Sequence, residues 1–170
     1  MQSTQPGDAA TGSDADAITT TDGTADADAI ATDAPAGKLT VDLLFPSVSW
    51  CKCHHGFGPG LDGLMTFTAK STAATAIKVE LLIVRLVPTA GGPTYSTADG
   101  GSAQFKTPAG TFSSITVDAG ATVNPQLKLI IDTTVSDPPP STPYDIEVTY
   151  TEDGVKRVVL SGPLSISVAS

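Results

Sequence analysis

The stretch Trp50-Cys-Lys-Cys-His-His-Gly56 gathers both cysteines and both histidines of a 170-residue chain into positions 51 to 55. Thiolate and imidazole are the side chains that suit Cu(I) and Zn(II), so Cys51, Cys53, His54 and His55 are the candidate metal ligands. On an extended strand Cys51, Cys53 and His55 share one face, with Lys52 and His54 opposite. At about 3.3 Å per residue, same-face neighbours lie about 6.6 Å apart, too far for two sulfurs to share one ion comfortably. A site here therefore requires the chain to turn, and glycines at 56, 58, 60 and 63 favour a tightly folding loop. Zinc fingers and ribbons use two separated ligand pairs, and haem attachment needs one residue more than Cys-Lys-Cys-His contains. Local crowding of this kind suits a Cu(I) site of two or three ligands better than a closed tetrahedral zinc site, so copper is expected before zinc.

Two other readings stay open. A Cys51–Cys53 disulfide needs a Cα separation of about 4.4–6.8 Å, which a tight turn supplies. So short a loop makes it a strained, easily reduced pair. Alternatively the residues form a polar loop with no ligand.

The remaining chemistry is thin. Met65 is a further thioether, but its alternation with Phe67 and Ala69 reads as core, and Trp50 at a strand end reads as packing. The same-face pairs Asp145/Glu147 and Lys78/Glu80 read as solvated charge. A hydrolytic triad needs a histidine beside a nucleophile and oriented by a distant acid; both histidines sit beside the cysteines, so a Cys–His nucleophile is the one catalytic alternative. No glycine-rich phosphate loop of the strand–helix kind occurs. The only asparagine, Asn124, precedes Pro125, which removes the glycosylation pattern. No enzymatic activity and no organic cofactor are expected.

The elements that must position the cluster read as β-strands. Leu39, Val41, Leu43 and Phe45 alternate with Thr40 and Asp42 until Pro46 stops the run. Gly63–Ala69 is a second strand. In Ile77–Val87, Ile77, Val79, Leu81 and Ile83 point one way and Lys78 and Glu80 the other. Its second half is apolar on both faces, as in a central strand covered twice. Short strands follow at Ser102–Lys106 and Thr111–Val117, then Gln126–Thr134. A proline-rich connector from Asp137 to Pro143 leads to Tyr144–Tyr150. Glu152-Asp-Gly154 signals a hairpin turn before Val155–Leu160, and Gly162-Pro163 bends the chain into Leu164–Val168. Short strands, regular turns and no amphipathic helix predict an all-β antiparallel β-sandwich of about seven to nine strands. The segments Gln126-Leu-Lys-Leu-Ile-Ile, Tyr144-Asp-Ile-Glu-Val-Thr-Tyr and Leu164-Ser-Ile-Ser-Val resemble the last strands of immunoglobulin-like or fibronectin-III-like domains. Tyr144 stands where such domains often place a tyrosine-corner residue. The resemblance covers the final 45 residues or so and implies a fold, with no functional residues attached.

Before this body lies a different kind of sequence. Residues 1–37 are almost wholly Asp, Ala, Thr, Gly and Ser, and Ile18 and Ile30 are their only large aliphatics. Seven of the eighteen acids fall there (Asp8, Asp14, Asp16, Asp22, Asp26, Asp28, Asp33), with no Lys or Arg, so the segment carries −7 of the net −9. With so little to bury, 1–37 reads as a disordered acidic tether and 38–170 as the folded domain. The missing basic stripe argues against nucleic acid and anionic membrane surfaces. No run of about 18 apolar residues exists to span a bilayer. The Asp/Ala/Thr/Gly-rich segment resembles the spacers that follow the lipid-modified cysteine of bacterial surface lipoproteins. That resemblance implies an extracytoplasmic address, at the cell surface or in the periplasm, with membrane attachment only through an N-terminal lipid. Polar residues follow Met1 directly, so this expectation requires Met1 to replace the lipidated cysteine of a mature end. Taken together, the sequence predicts a surface-tethered protein that coordinates copper or zinc. The alternative is a structural or adhesive module whose partners are other surface proteins or copies of itself, with the cysteines in disulfides.

Overall fold

The computed structural model describes residues 37–52, 59–133, 139 and 141–169. The chain divides into two units, Met1–Asp33 and Ala34–Ser170, and every described residue lies in the second. That unit is an all-β sandwich. Its strands are β1 (Leu39–Cys51), β2 (Gly60–Ser71), β3 (Ile77–Pro88), β4 (Tyr95–Ser96), β5 (Gly101–Thr107) and β6 (Gly110–Phe112). They continue with β7 (Ser114–Val117), β8 (Thr122–Val123), β9 (Gln126–Asp132), β10 (Tyr144–Glu152), β11 (Val155–Leu160) and β12 (Ser167–Val168). One sheet runs β12-β1-β2-β9-β5-β6, with β8 also on β2; the other runs β11-β10-β3-β4, with β7 also on β3. All pairs are antiparallel except β1–β12, where Ser49 and Trp50 run parallel to Ser167 and Val168.

Strands outnumber the expectation because several are short or broken. The run Thr111–Val117 is two strands: β6 pairs with β5 in one sheet and β7 with β3 in the other, so the chain changes sheets at Ser113. Strands β8 and β9 keep one register along β2 and are separated only by Asn124 and Pro125, the proline having no N–H for a ladder. No helix among the described residues is long and apolar enough to cross a membrane.

Two bulges change what period two predicts. Pro46 does not end β1. The register passes from Leu44↔Thr66 to Ser47↔Leu64, so Phe45 and Pro46 together stand opposite Met65, and Phe45 takes φ 53°. Proline is tolerated because β12 reaches only Ser49 and Trp50, leaving this part of β1 at the sheet edge. In β3, Thr149 faces Ile83 but Tyr150 faces Leu81, so Leu82 is the extra residue. Beyond it the phase reverses: Val84 and Leu86 enter the core, whereas Ile83 lies on the outer face and Leu82 is 50% exposed. The doubly apolar half of β3 therefore reports a bulge, and among the described residues only one of its faces is covered.

The core lies between the sheets. Phe67 on β2 meets Phe105 on β5 edge-on at 5.0 Å between ring centres, and Tyr150 of the opposite sheet at 5.7 Å and 88°. Such edge-to-face contacts add to the burial of apolar area. Gly63, read from the sequence both as a loop glycine and as the start of the second strand, lies within β2, where an added Cβ would come within 3.0 Å of Leu129 and 3.3 Å of Val48. At the β10–β11 hairpin, Asp153 and Gly154 both take positive φ, 48° and 86°, as the expected tight turn requires. Asp153 also accepts the Lys78 N–H at 2.9 Å and donates its own to the Lys78 carbonyl at 3.0 Å.

Candidate functional site

Strands β1 and β2 are consecutive and antiparallel, and their final pair is Cys51↔Gly60. The cysteine–histidine stretch thus begins on the last residue of a strand and continues into the segment that joins β1 to β2. Gly60, expected in the loop, is the first residue of β2 and is buried. Cys53, His54 and His55 lie outside the described residues; of the four candidate ligands the structure places Cys51.

The bulge at Phe45–Pro46 decides where Cys51 points. Without it, Cys51 would share the face of Leu39 and Leu43, which is the core face. With one residue added, Val48 and Trp50 turn inward and Cys51 turns to the outer face, where it is half-buried. Trp50 is 5% exposed and belongs to the core beneath, on the face opposite Cys51. Its indole Nε1 has no hydrogen-bond partner among the described residues. Met65 is likewise buried in the core.

Register brings in two residues that spacing along the chain does not. Gly60 pairs with Cys51 on one side and with Asp132 on the other. Directly opposed residues project from the same face, so Cys51 and Asp132 flank a position with no side chain. Asp62, two residues along β2, lies on that face too, half-buried between Ser49 and Ile130. Nothing in the sequence near residues 50–60 signals Asp132; only pairing through β2 reveals it. Negative charge at the loop's base raises the local concentration of cations. Among the described residues no group of three or more His, Cys, Asp or Glu side chains is placed to hold a metal ion.

The base of the hairpin is held on both sides by backbone bonds. Ala169 donates its N–H to the Trp50 carbonyl at 2.8 Å, Thr133 to Pro59 at 3.1 Å and Asp132 to Gly100 at 3.1 Å. Away from this end, two of the charged pairs lie at the surface, whereas Arg157–Glu152 is largely buried. Lys78 reaches Glu80 at 2.6 Å, and Arg85 reaches Glu147 at 3.5 Å across β3 and β10.

No family model matches the chain, and no curated protein does. Solved structures give remote similarity. One is a Northeast Structural Genomics Consortium target, at 10% identity and TM-score 0.41, covering 79% of this chain and 90% of that one. Another is an uncharacterised β-sandwich protein from Clostridium difficile 630, at 14% identity and TM-score 0.33, covering 75% and 87%. A third is the Pseudomonas fluorescens alkylpurine DNA glycosylase AlkC bound to DNA containing an abasic-site analogue. It stands at 11% identity and TM-score 0.33, covering 79% of this chain and 31% of that one. No activity or partner follows from them. What the described residues define is an all-β sandwich with a cysteine-bearing hairpin at one end of its larger sheet.

Proposed function

We propose that this chain is an extracytoplasmic, surface-tethered protein that binds a soft metal ion, copper before zinc, at the β1–β2 hairpin. Cys51 and Cys53 supply thiolate charge and softness, and His54 or His55 completes the coordination with an imidazole. Gly56 and Gly58 give the connection the backbone freedom that a turn around an ion requires. The acidic segment 1–37 holds the sandwich away from the surface. The observation that supports this reading is the bulge at Phe45–Pro46, which turns Cys51 out of the core at the mouth of a loop carrying the other three ligands.

The test is a titration of the full chain with Cu(I), under anaerobic conditions, and with Zn(II), each against a chromophoric chelator. One ion per chain is expected, with Cu(I) held more tightly. In the Cys51→Ser/Cys53→Ser variant the affinity should fall by about tenfold or more, since hydroxyls replace the soft ligands. Unchanged binding in that variant sinks the proposal.

A second reading, a structural or adhesive module, is favoured by a different observation. On the outer face of the five-stranded sheet the β11 neighbours Val158 and Leu160 are 49% and 58% exposed, and exposed apolar surface can mark an interaction site. Absence of metal binding together with cysteine thiols that react only after reduction would favour this reading.

A further inference from the structure

β11 is the outermost strand of the five-stranded sheet, and among the described residues no strand pairs with its far side. Its register fixes which peptide groups face outward. Ser161 donates its N–H to the Ile146 carbonyl at 2.8 Å, and the same register pairs Val159 with Val148 and Arg157 with Tyr150. Hydrogen-bonded and non-bonded pairs alternate along an antiparallel ladder. Val155, Arg157 and Val159 therefore direct their peptide groups to β10, whereas Lys156, Val158 and Leu160 direct theirs away from it. The side chains of these three lie on the outer face, opposite Thr151, Thr149 and Glu147. No proline, glycine or bulge interrupts Val155–Leu160. Proline and bulges are among the usual protections of an edge strand, as are charged side chains, of which β11 carries Lys156 on the outer face.

We propose that β11 pairs antiparallel with β11 of a second copy of this chain, about a twofold axis at Val158, so that two five-stranded sheets become one. This rests on the second reading above and is independent of the hairpin loop. The outward groups are symmetric about Val158. With Val158 opposite the partner's Val158, Lys156 falls opposite the partner's Leu160, and every outward N–H of these residues meets an outward C=O.

Charge selects the same register. Lys156 meets no second lysine, because it lies across from the partner's Leu160, whose row continues to the partner's Glu147. The aliphatic stem of Lys156 covers that leucine while its ammonium approaches the carboxylate. Arg157 stays out of the contact, on the other face, with Nε 3.2 Å from Glu152. Moving the axis to Lys156 would set two ammonium groups face to face, which destabilises a strand pair. Moving it to Leu160 would place Lys156 against Leu164, whose N–H and C=O already bond Tyr144. Of the three axes that pass through an outward-directed residue, the one at Val158 satisfies both hydrogen bonds and charge.

Sedimentation velocity of the full chain over a concentration series tests the pairing. A reversible monomer–dimer equilibrium is expected. Val158→Lys and Val158→Glu each place like charges opposite each other at the axis, and each should move the midpoint upward by about tenfold or more. Mixing the two variants in equal amounts should restore the dimer, a rescue that misfolding of either cannot mimic. A dimer that both variants retain, or a mixture that stays monomeric, overturns this pairing while leaving other modes of assembly standing. A chain that remains monomeric at every concentration overturns the pairing and self-assembly with it, and leaves adhesion to other surface proteins and the metal proposal untouched.

Discussion

Phe45 is the residue on which the candidate site turns. It sits in the left-handed region at φ 53° and is 84% exposed, so its ring gains little from burial while its backbone is strained. A non-glycine residue there costs roughly 1–2 kcal/mol. Phe45→Gly should therefore stabilise the fold by about 1 kcal/mol, after allowance for the greater chain entropy of glycine. It should leave the bulge, and hence the outward Cys51, in place. A urea midpoint that falls would show that the ring makes contacts worth more than the strain. From residue types alone, Pro46 reads as the end of a strand. That β1 resumes beyond it, with the opposite phase, depends on Ser47–Cys51 finding partners in Gly60–Leu64, which no local signal announces.

At the scale of elements, the end of the larger sheet is fixed by close backbone packing. Gly101, the first residue of β5, has φ 116°, and a Cβ built on it would lie 2.1 Å from the Ile130 carbonyl oxygen of β9. The adjoining row runs Trp50–Leu61–Ile131–Gly101, directly beneath the Cys51–Gly60–Asp132 row. Gly101→Ala should cost roughly 2–4 kcal/mol, through both the clash and the forbidden φ. It should also loosen the position of Asp132 relative to Cys51. Thermal and chemical unfolding measure the loss; a variant as stable as the parent would mean that β5 separates from β9 without consequence. Gly101 directly precedes Ser102–Lys106, the strand read from the sequence. The requirement for glycine comes from β9, 30 residues further on.

For the whole molecule, the tyrosines report the integrity of the core. Burial holds Tyr150 well above its ordinary value of 10.0, up to about 12, with the nearby Glu152 carboxylate adding and Arg157 opposing. Burial also raises Tyr95 and Tyr144. The folded chain therefore keeps phenolic protons that the unfolded chain releases near pH 10. Stability from this source is complete below pH 10 and is lost progressively as pH climbs toward 12. An absorbance titration of tyrosinate, run beside circular dichroism, should show phenol ionisation coinciding with alkaline unfolding. Tyrosines that ionise at pH 10 with the fold intact would contradict the burial described.

Period-two alternation, turn residues and the absence of helical stripes were enough, within the sequence, to determine an all-β sandwich, because side-chain alternation is local to each strand. The same reading located the one cluster of soft ligand atoms and the charge difference between residues 1–37 and the rest. Tertiary structure decided phase and neighbourhood. It reversed the faces of β1 and β3 at bulges, put Gly60 into a strand, and set Asp132 across a glycine from Cys51. Among the described residues it also left β11 with one unpaired edge. Pairing partners lie tens of residues apart, and an inserted residue flips every side chain beyond it. Which face a cysteine occupies is therefore a property of two strands together and cannot be read from one.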